Sequence, residues 1–387
     1  MTTRSAGRRG CLVLAAGVLA VAAWPTAAAL GARARTLPSG AKLPNLQARL
    51  PFLDASYLDL VTNPGRLLYR FDSAIYNAGP GAFEVYYDHP ANRMWQIVYR
   101  GRGVAARPLC RKPPARQPKK GCTHASRVPS DPNIAGRISM TAKGARMTWA
   151  GDNHAHWHVQ SVARYTLTSA TGTALNIRKT GFCMYDLLGK GTGLYSGFNW
   201  AGNDWCQHRK GTSAKVVRMG ISPKFADHYA NSIAGQFVDV TGQPPGVYKL
   251  TATIDPKNTV AETNERDQSL TQRRTIPGVV AAALGPVAVP SATPTQLSVP
   301  PAQIVAPLAK VKISADPPRA WTAAEITAGL VYSVATPPAH GIVGAFAGPT
   351  TTYQATPGYV GPDSFTYVVK DPRGLSSSPA TVTLTVS

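Results

Sequence analysis

The chain has 387 residues, 44% of them hydrophobic, and carries 41 Lys and Arg against 19 Asp and Glu, a formal net charge of +22. That length predicts two domains and a core large enough to need no external staple. The surplus charge excludes an acid-rich solvating chain and favours polyanionic partners.

From the N-terminus, Arg4, Arg8 and Arg9 precede the short apolar run "CLVLAAGVLAVAAW" (11 to 24) and the small-residue stretch "PTAAALGARA". That order reads as a secretory signal peptide over residues 1–34, and no later segment is apolar enough to span a membrane as a helix. Cys11 lies ahead of the apolar run, the wrong side for a lipoprotein anchor. The remaining cysteines, Cys110, Cys122, Cys183 and Cys206, are even in number and lack the spacing of a zinc site. Sequence proximity favours disulfides Cys110–Cys122 and Cys183–Cys206, two of the bonds an exported chain can form.

Short alternating runs follow, bounded by Gly, Pro, Asn and Asp: "LLYRFDSAIYNAG" (67 to 79), "AFEVYY" (82 to 87), "RMWQIVY" (93 to 99), "HWHVQSVARYTL" (156 to 167), "GQFVDVT" (235 to 241) and "YKLTATID" (248 to 255). Many short strands with frequent turns predict a mostly β protein of sandwich type. "RPLCRKPPARQPKKGC" (107 to 122) is the densest basic stretch. It has no aromatic residue on which a base could stack, so an anionic cell-envelope polymer is the expected partner rather than a specific nucleic acid. "DLLGKGTGLYSGFNWAGNDW" (186 to 205) is long for a loop, which predicts function. "GISPKFADHYANSI" (220 to 233) reads as a short helix or an ordered loop.

Residues 276 to 309 carry no charge, and from Lys310 onward the net is +1, so the first 275 residues hold +21. By composition the uncharged stretch is linker. Beyond it, "TTYQAT", "DSFTYVVKD" and "ATVTLTVS" alternate cleanly as a second all-β unit. "PPAHG" (337 to 341), "YQATPGYVGPDSFTYVVKD" (353 to 371) and the closing "ATVTLTV" resemble bacterial immunoglobulin-like and cadherin-like modules. That resemblance moves the boundary back to the "PVAV" strand at Pro286. The organisation expected is therefore a first domain over 40–272, a linker over 273–285 and an Ig-like β-sandwich over 286–387. Asp363 and Asp371 are available to a calcium ion, but turn formation is the simpler role for both.

The most specific chemistry lies in "DNHAHWHVQS" (152 to 161), where His154, His156 and His158 alternate. In a strand, positions i, i+2 and i+4 share one face, which would align the three imidazoles with Ala155 and Trp157 behind them. Three neutral imidazoles suit copper(II) or zinc(II) and leave a coordination position open. The triplet alone does not separate those two metals.

After the triplet come "ARYTL" (163 to 167), "KTGFC" (179 to 183), "GISPKFADHY" (220 to 229), "GQFVDVTGQPPGVYKL" (235 to 250) and "TIDPKNTVAETNE" (253 to 265). In that order and spacing they resemble the catalytic domain of the lysyl oxidase family, with "LPNLQ" (43 to 47) at its start. The resemblance spans roughly residues 40 to 270, with an unmatched basic insertion near 101 to 140. It implies copper(II) on His154, His156 and His158. It also implies a lysine tyrosylquinone made from Lys179, four positions before Cys183, and Tyr229, which closes the D–x–Y motif. The implied activity is oxidation of primary amines, including peptidyl lysine, to aldehydes with O2, releasing hydrogen peroxide and ammonia. Cys183, bonded to Cys206, would hold the loop beside the cross-link.

Asp152 and Asp227 are candidates for the general base by proximity in sequence. Three positions depart from the animal pattern: Met219-Gly220, Asp267-Gln268 and Arg164. Two other functions compete, a non-catalytic envelope metal-binding protein of the same fold and a three-histidine zinc hydrolase or lyase. Neither gives Lys179 and Tyr229 a purpose.

Overall fold

The computed structural model describes residues 39–50, 56–100, 134–150, 155–191, 193–195, 206 and 211–387. The signal segment, the basic loop with Cys110 and Cys122, Asp152 and His154 lie outside the described residues.

The protein is mostly β. In the first domain the strands Ala41–Lys42, Arg93–Arg100, Phe83–Asp88 and Val216–Ile221 lie side by side, with Ile134–Ser139 also paired to Arg93–Arg100. A second antiparallel sheet joins Ala174–Asn176, Ala163–Thr168, Gly246–Ile254 and Ser269–Ile276. Alternation decides which residues turn inward. Along Gly246–Ile254, Tyr248, Leu250, Ala252 and Ile254 are buried and the residues between them are not.

The inward rows meet in one core that includes Phe71, Ile75, Tyr165, Phe182, Met219 and Tyr229. Burying side chains of this size stabilises by about 1.5–3 kcal/mol each. A charged group stands inside it with its needs met. The Glu84 carboxylate, fully buried, accepts from Tyr99 Oη at 2.5 Å, Tyr195 Oη at 2.6 Å and Arg218 Nε at 2.7 Å.

Residues 220–233 hold no helix. Ala226–Tyr229 is a strand, paired antiparallel with Ser73–Asn77 so that Asp227 faces Ile75 and Tyr229 faces Ser73. Local composition did not favour that strand; a partner some 150 residues upstream imposes it.

The second domain wraps its own core of Val289, Tyr353, Phe365, Tyr367 and Val382 between two sheets. One contains Leu284–Val289, Ala380–Val386, Gly361–Lys370 and Val331–Thr336; the other contains Thr295–Ser298, Thr350–Ala355 and Gly341–Val343. Asp363 accepts from the Ala339, His340 and Ser364 N–H groups and from Tyr353 Oη. Asp371 accepts from the Arg373 and Leu375 N–H groups and from the Arg373 side chain. Both aspartates thus build turns.

The stretch between the domains is more ordered than its composition implies. Residues 273–276 complete the strand Ser269–Ile276, and Gly278–Val280 pairs with Gln303–Val305. Lys310–Lys312 leaves the second domain to pair, in parallel, with Tyr57–Asp59 of the first. Leu375, from a turn of the second domain, packs into the first domain's core.

Candidate metal and lysine–tyrosine site

The strand His156–Gln160 lies between Arg146–Ala150 and Gly181–Phe182. It begins at His156, because Ala155 has φ 47° and breaks the extended run. Among the described residues the shared-face expectation is met by His156 and His158; His154 lies outside them. Their Nε2 atoms converge to 2.9 Å. Two imidazoles brought nose to nose in this way are arranged as two ligands of one ion are, and neutral nitrogen donors suit copper(II) or zinc(II). The residues present fit such a metal.

On the opposite face Trp157 is buried against Tyr87, His89 and Trp149 and donates from Nε1 to the Gly211 carbonyl at 3.0 Å. That anchoring fixes the strand's rotation and hence the direction of the histidines.

Gly181–Phe182 links the histidines to the second pair of interest, Gly181 packing on His158 and Phe182 on Tyr229. A Cβ on Gly181 would lie 2.8 Å from His158 Cβ and 2.9 Å from His158 Nδ1, so only glycine lets the imidazole lie flat here. Just before this strand is Lys179, 7% exposed, whose N–H donates to the Gly235 carbonyl at 3.0 Å. Gly235 takes φ 75°, a left-handed value that glycine adopts without strain. Lys179 Nζ lies 5.2 Å from the Tyr229 ring centroid and 5.4 Å from that of Phe182. The Phe182 and Tyr229 rings meet edge to face at 5.0 Å. Tyr229 is itself buried and donates from Oη to the Cys183 carbonyl at 3.1 Å. Cys183 is bonded to Cys206, with a Cα–Cα distance of 5.9 Å, as expected from the sequence.

Asp227 shares a strand face with Tyr229 and is fully buried. Burial pushes its carboxyl well above the usual carboxylate range, against the opposing pull of the Tyr229 hydroxyl and the Lys179 ammonium. Burial likewise raises the Tyr229 phenol, and the Asp227 charge adds to the effect. Tyr185 is pushed up to about 12 by burial and by Asp227. The pocket therefore disfavours negative charge on all three groups. His228, one residue from Tyr229, faces the other way and meets Asp72 at 2.9 Å.

The structure thus brings together Lys179, Tyr229 and Asp227, and separately His156 and His158 on the strand that pairs with Gly181–Phe182. Sequence reasoning named all five. It missed Tyr185 and the close packing of Gly181 on His158; the glycine in "KTGFC" was the available signal for the latter. It also missed a group of carboxylates, Asp255, Glu262 and Glu265, whose oxygens lie within 4.8 Å of one another.

Residues 124–274 match the family model for lysyl oxidase, and residues 285–385 match that for the bacterial Ig domain. No curated protein matches the chain. Among solved structures, the endo-fucoidan hydrolase MfFcnA4 of glycoside hydrolase family 107 is similar at 13% identity over 40% of this chain and 21% of that chain, with a TM-score of 0.17. MfFcnA9 of the same family is similar at 13% identity over 40% of this chain and 25% of that chain, with a TM-score of 0.16.

Proposed function

From a chain that carries a lysyl oxidase domain followed by a bacterial Ig domain, we propose a secreted amine oxidase that depends on copper(II) and on a quinone built from Lys179 and Tyr229. Its net reaction turns a primary amine, O2 and water into an aldehyde, ammonia and hydrogen peroxide. The observation that carries this reading is the approach of Lys179 Nζ to 5.2 Å from the Tyr229 ring centroid, with two converging imidazoles on the strand that pairs with Gly181–Phe182.

His154, His156 and His158 would hold the metal. Copper(II) would supply redox chemistry with O2 at a phenol ring, and the lysine tyrosylquinone would supply an electrophilic carbonyl toward primary amines. The chain's own residues do the rest. Phe182 and the Cys183 carbonyl orient the Tyr229 ring, and the Lys179–Gly235 backbone bond keeps the amine beside it. Burial excludes water that would otherwise compete for an electrophile. Asp227, whose carboxyl the same burial raises well above the usual carboxylate range, is placed to exchange a proton within reach of the Tyr229 hydroxyl. The Cys183–Cys206 bond and the apolar segment at the N-terminus fit export, as does the Ig domain.

Purified protein loaded with copper under air, then digested and mapped, tests the proposal. The peptides bearing Lys179 and Tyr229 are expected joined, and primary amines should yield peroxide. Copper-bound protein with separate, unmodified peptides would refute the quinone mechanism.

A further inference from the structure

Strand Ser269–Ile276 alternates regularly, and its inward row reads Leu270, Gln272, Arg274 and Ile276. Arg274 occupies a position where the pattern calls for an apolar residue, and it is only 6% exposed. Its Nη1 donates to the Arg273 carbonyl at 3.0 Å and its Nη2 to Gln272 Oε1 at 2.7 Å. Its Nε is buried and has no hydrogen-bond partner. Among the described residues no carboxylate stands within ion-pair distance of the guanidinium. A buried charge lacking both a counterion and a full set of acceptors is strongly unfavourable unless something else completes it.

The surroundings indicate what does. Arg274 lines an open cleft of about 490 Å³ at the junction of the two domains, together with Arg273, Lys310, Tyr57, Tyr69 and Ser56. Three basic residues line this space, and none of the described residues lining it is acidic. Elsewhere in the fold buried arginines are matched: Arg70 with Asp59, Arg218 with Glu84 and Arg373 with Asp371. Arg274 is the exception among the described residues. Burial also draws its pKa down, an effect the neighbouring Tyr69 opposes, so the site gains from any anion that restores the charge balance.

We propose that this cleft binds a phosphate group, with the Nη1 and Nη2 hydrogens of Arg274 that its two acceptors leave over donating to it and Arg273 and Lys310 flanking it at the rim. Phosphate is preferred to a carboxylate because three basic residues and no described acidic one line the cleft, and a dianion balances more of that charge than a monoanion. A guanidinium edge also matches two oxygens of one tetrahedral anion. The same group can come from free phosphate or from a phosphodiester polymer of the cell envelope. The proposal is independent of the oxidase reading, since its readout is binding.

Thermal melting of the full chain is compared in chloride, acetate and inorganic phosphate at matched ionic strength. Phosphate is expected to raise Tm saturably, acetate to do so weakly and chloride not at all. Arg274→Gln should abolish the phosphate shift. Should that variant not fold, the exposed-rim double variant Arg273→Gln/Lys310→Gln keeps the fold and is expected to weaken apparent phosphate affinity at least tenfold. Absence of a saturable shift in the wild type, or an equal shift in every variant, overturns the proposal. A poly(glycerol phosphate) that binds more tightly per phosphate than the free ion identifies the polymer as occupant; equal or weaker binding identifies free phosphate.

Discussion

Substituting Gly181 by alanine should damage metal binding without touching any ligand. The added Cβ would lie 2.4 Å from Gln160 Nε2, 2.8 Å from His158 Cβ and 2.9 Å from His158 Nδ1. The Gln160 amide is the end of a flexible side chain and can swing aside. The His158 ring cannot, since its Cβ is fixed to a strand paired on both sides. Restoring ordinary contact at Nδ1 needs a ring displacement of about half an ångström, while metal–ligand distances tolerate only about 0.2 Å. Loss of a comparable orienting contact lowers metal affinity by about 10–100-fold. Overpacking adds a destabilisation of about 1–3 kcal/mol, which a domain of this size shows as a Tm decrease of several degrees. Copper titration against a competing chelator measures the first effect, and thermal melting of the metal-free protein measures the second. Folded Gly181→Ala protein that binds copper as tightly as the wild type would show that His158 is not a ligand, or that the sheet relaxes freely around it.

Three other outcomes are expected. Asp227→Asn removes the carboxyl that shares a buried strand face with Tyr229 and should lower amine turnover by about 10²–10⁴-fold, measured as peroxide release from protein with its cross-link verified. Glu262 is pushed up to about 8 by burial, reinforced by Asp255 and Glu265 and opposed by the Leu46 N–H and Gln268. The folded protein therefore keeps a proton that the unfolded chain releases near 4.5, so stability is full below that pH and falls as pH rises to about 8. The slope due to this group is at most about 1.4 kcal/mol per pH unit, and Glu262→Gln should flatten it in urea titrations across pH 4.5 to 8. Leu375→Ala, at a buried position where the second domain enters the first domain's core, should cost about 2–4 kcal/mol. Calorimetry should register that loss in the transition of the lysyl oxidase domain; a change confined to the Ig transition would contradict the packing.

Much of this architecture was readable before any coordinates, because the strands carry period-two patterns that burial enforces one residue at a time. His156, His158, Lys179 and Tyr229 were named on other grounds, the histidines by their alternation and Lys179 and Tyr229 by the resemblance to the lysyl oxidase family; the structure sets the members of each pair close to one another. The strand Ala226–Tyr229 was not legible. Its stability comes from pairing with Ser73–Asn77, and nothing local to "KFADHY" encodes a partner so far upstream. The same holds for Asp227, which sequence could name as a candidate base but could not bury. Arg274 gave no signal at all, since an arginine in "TQRRT" reads as surface until the alternation of its strand is known.

The pairing of Lys310–Lys312 with Tyr57–Asp59 bears on the order in which the molecule can assemble. Tyr57–Asp59 emerges early in synthesis, with Leu68–Arg70 as its hairpin mate, but its other edge has no partner until some 250 further residues have been made. During that interval the first domain exposes an open strand edge, the kind of surface that recruits neighbouring chains. Closing it is a long-range event, and long-range closure is slow. The Ig domain thus has a duty toward its own chain as well as toward the environment: its arrival seals the lysyl oxidase domain. A chain cut short before Lys310 would keep every residue of the proposed site and still leave that edge open.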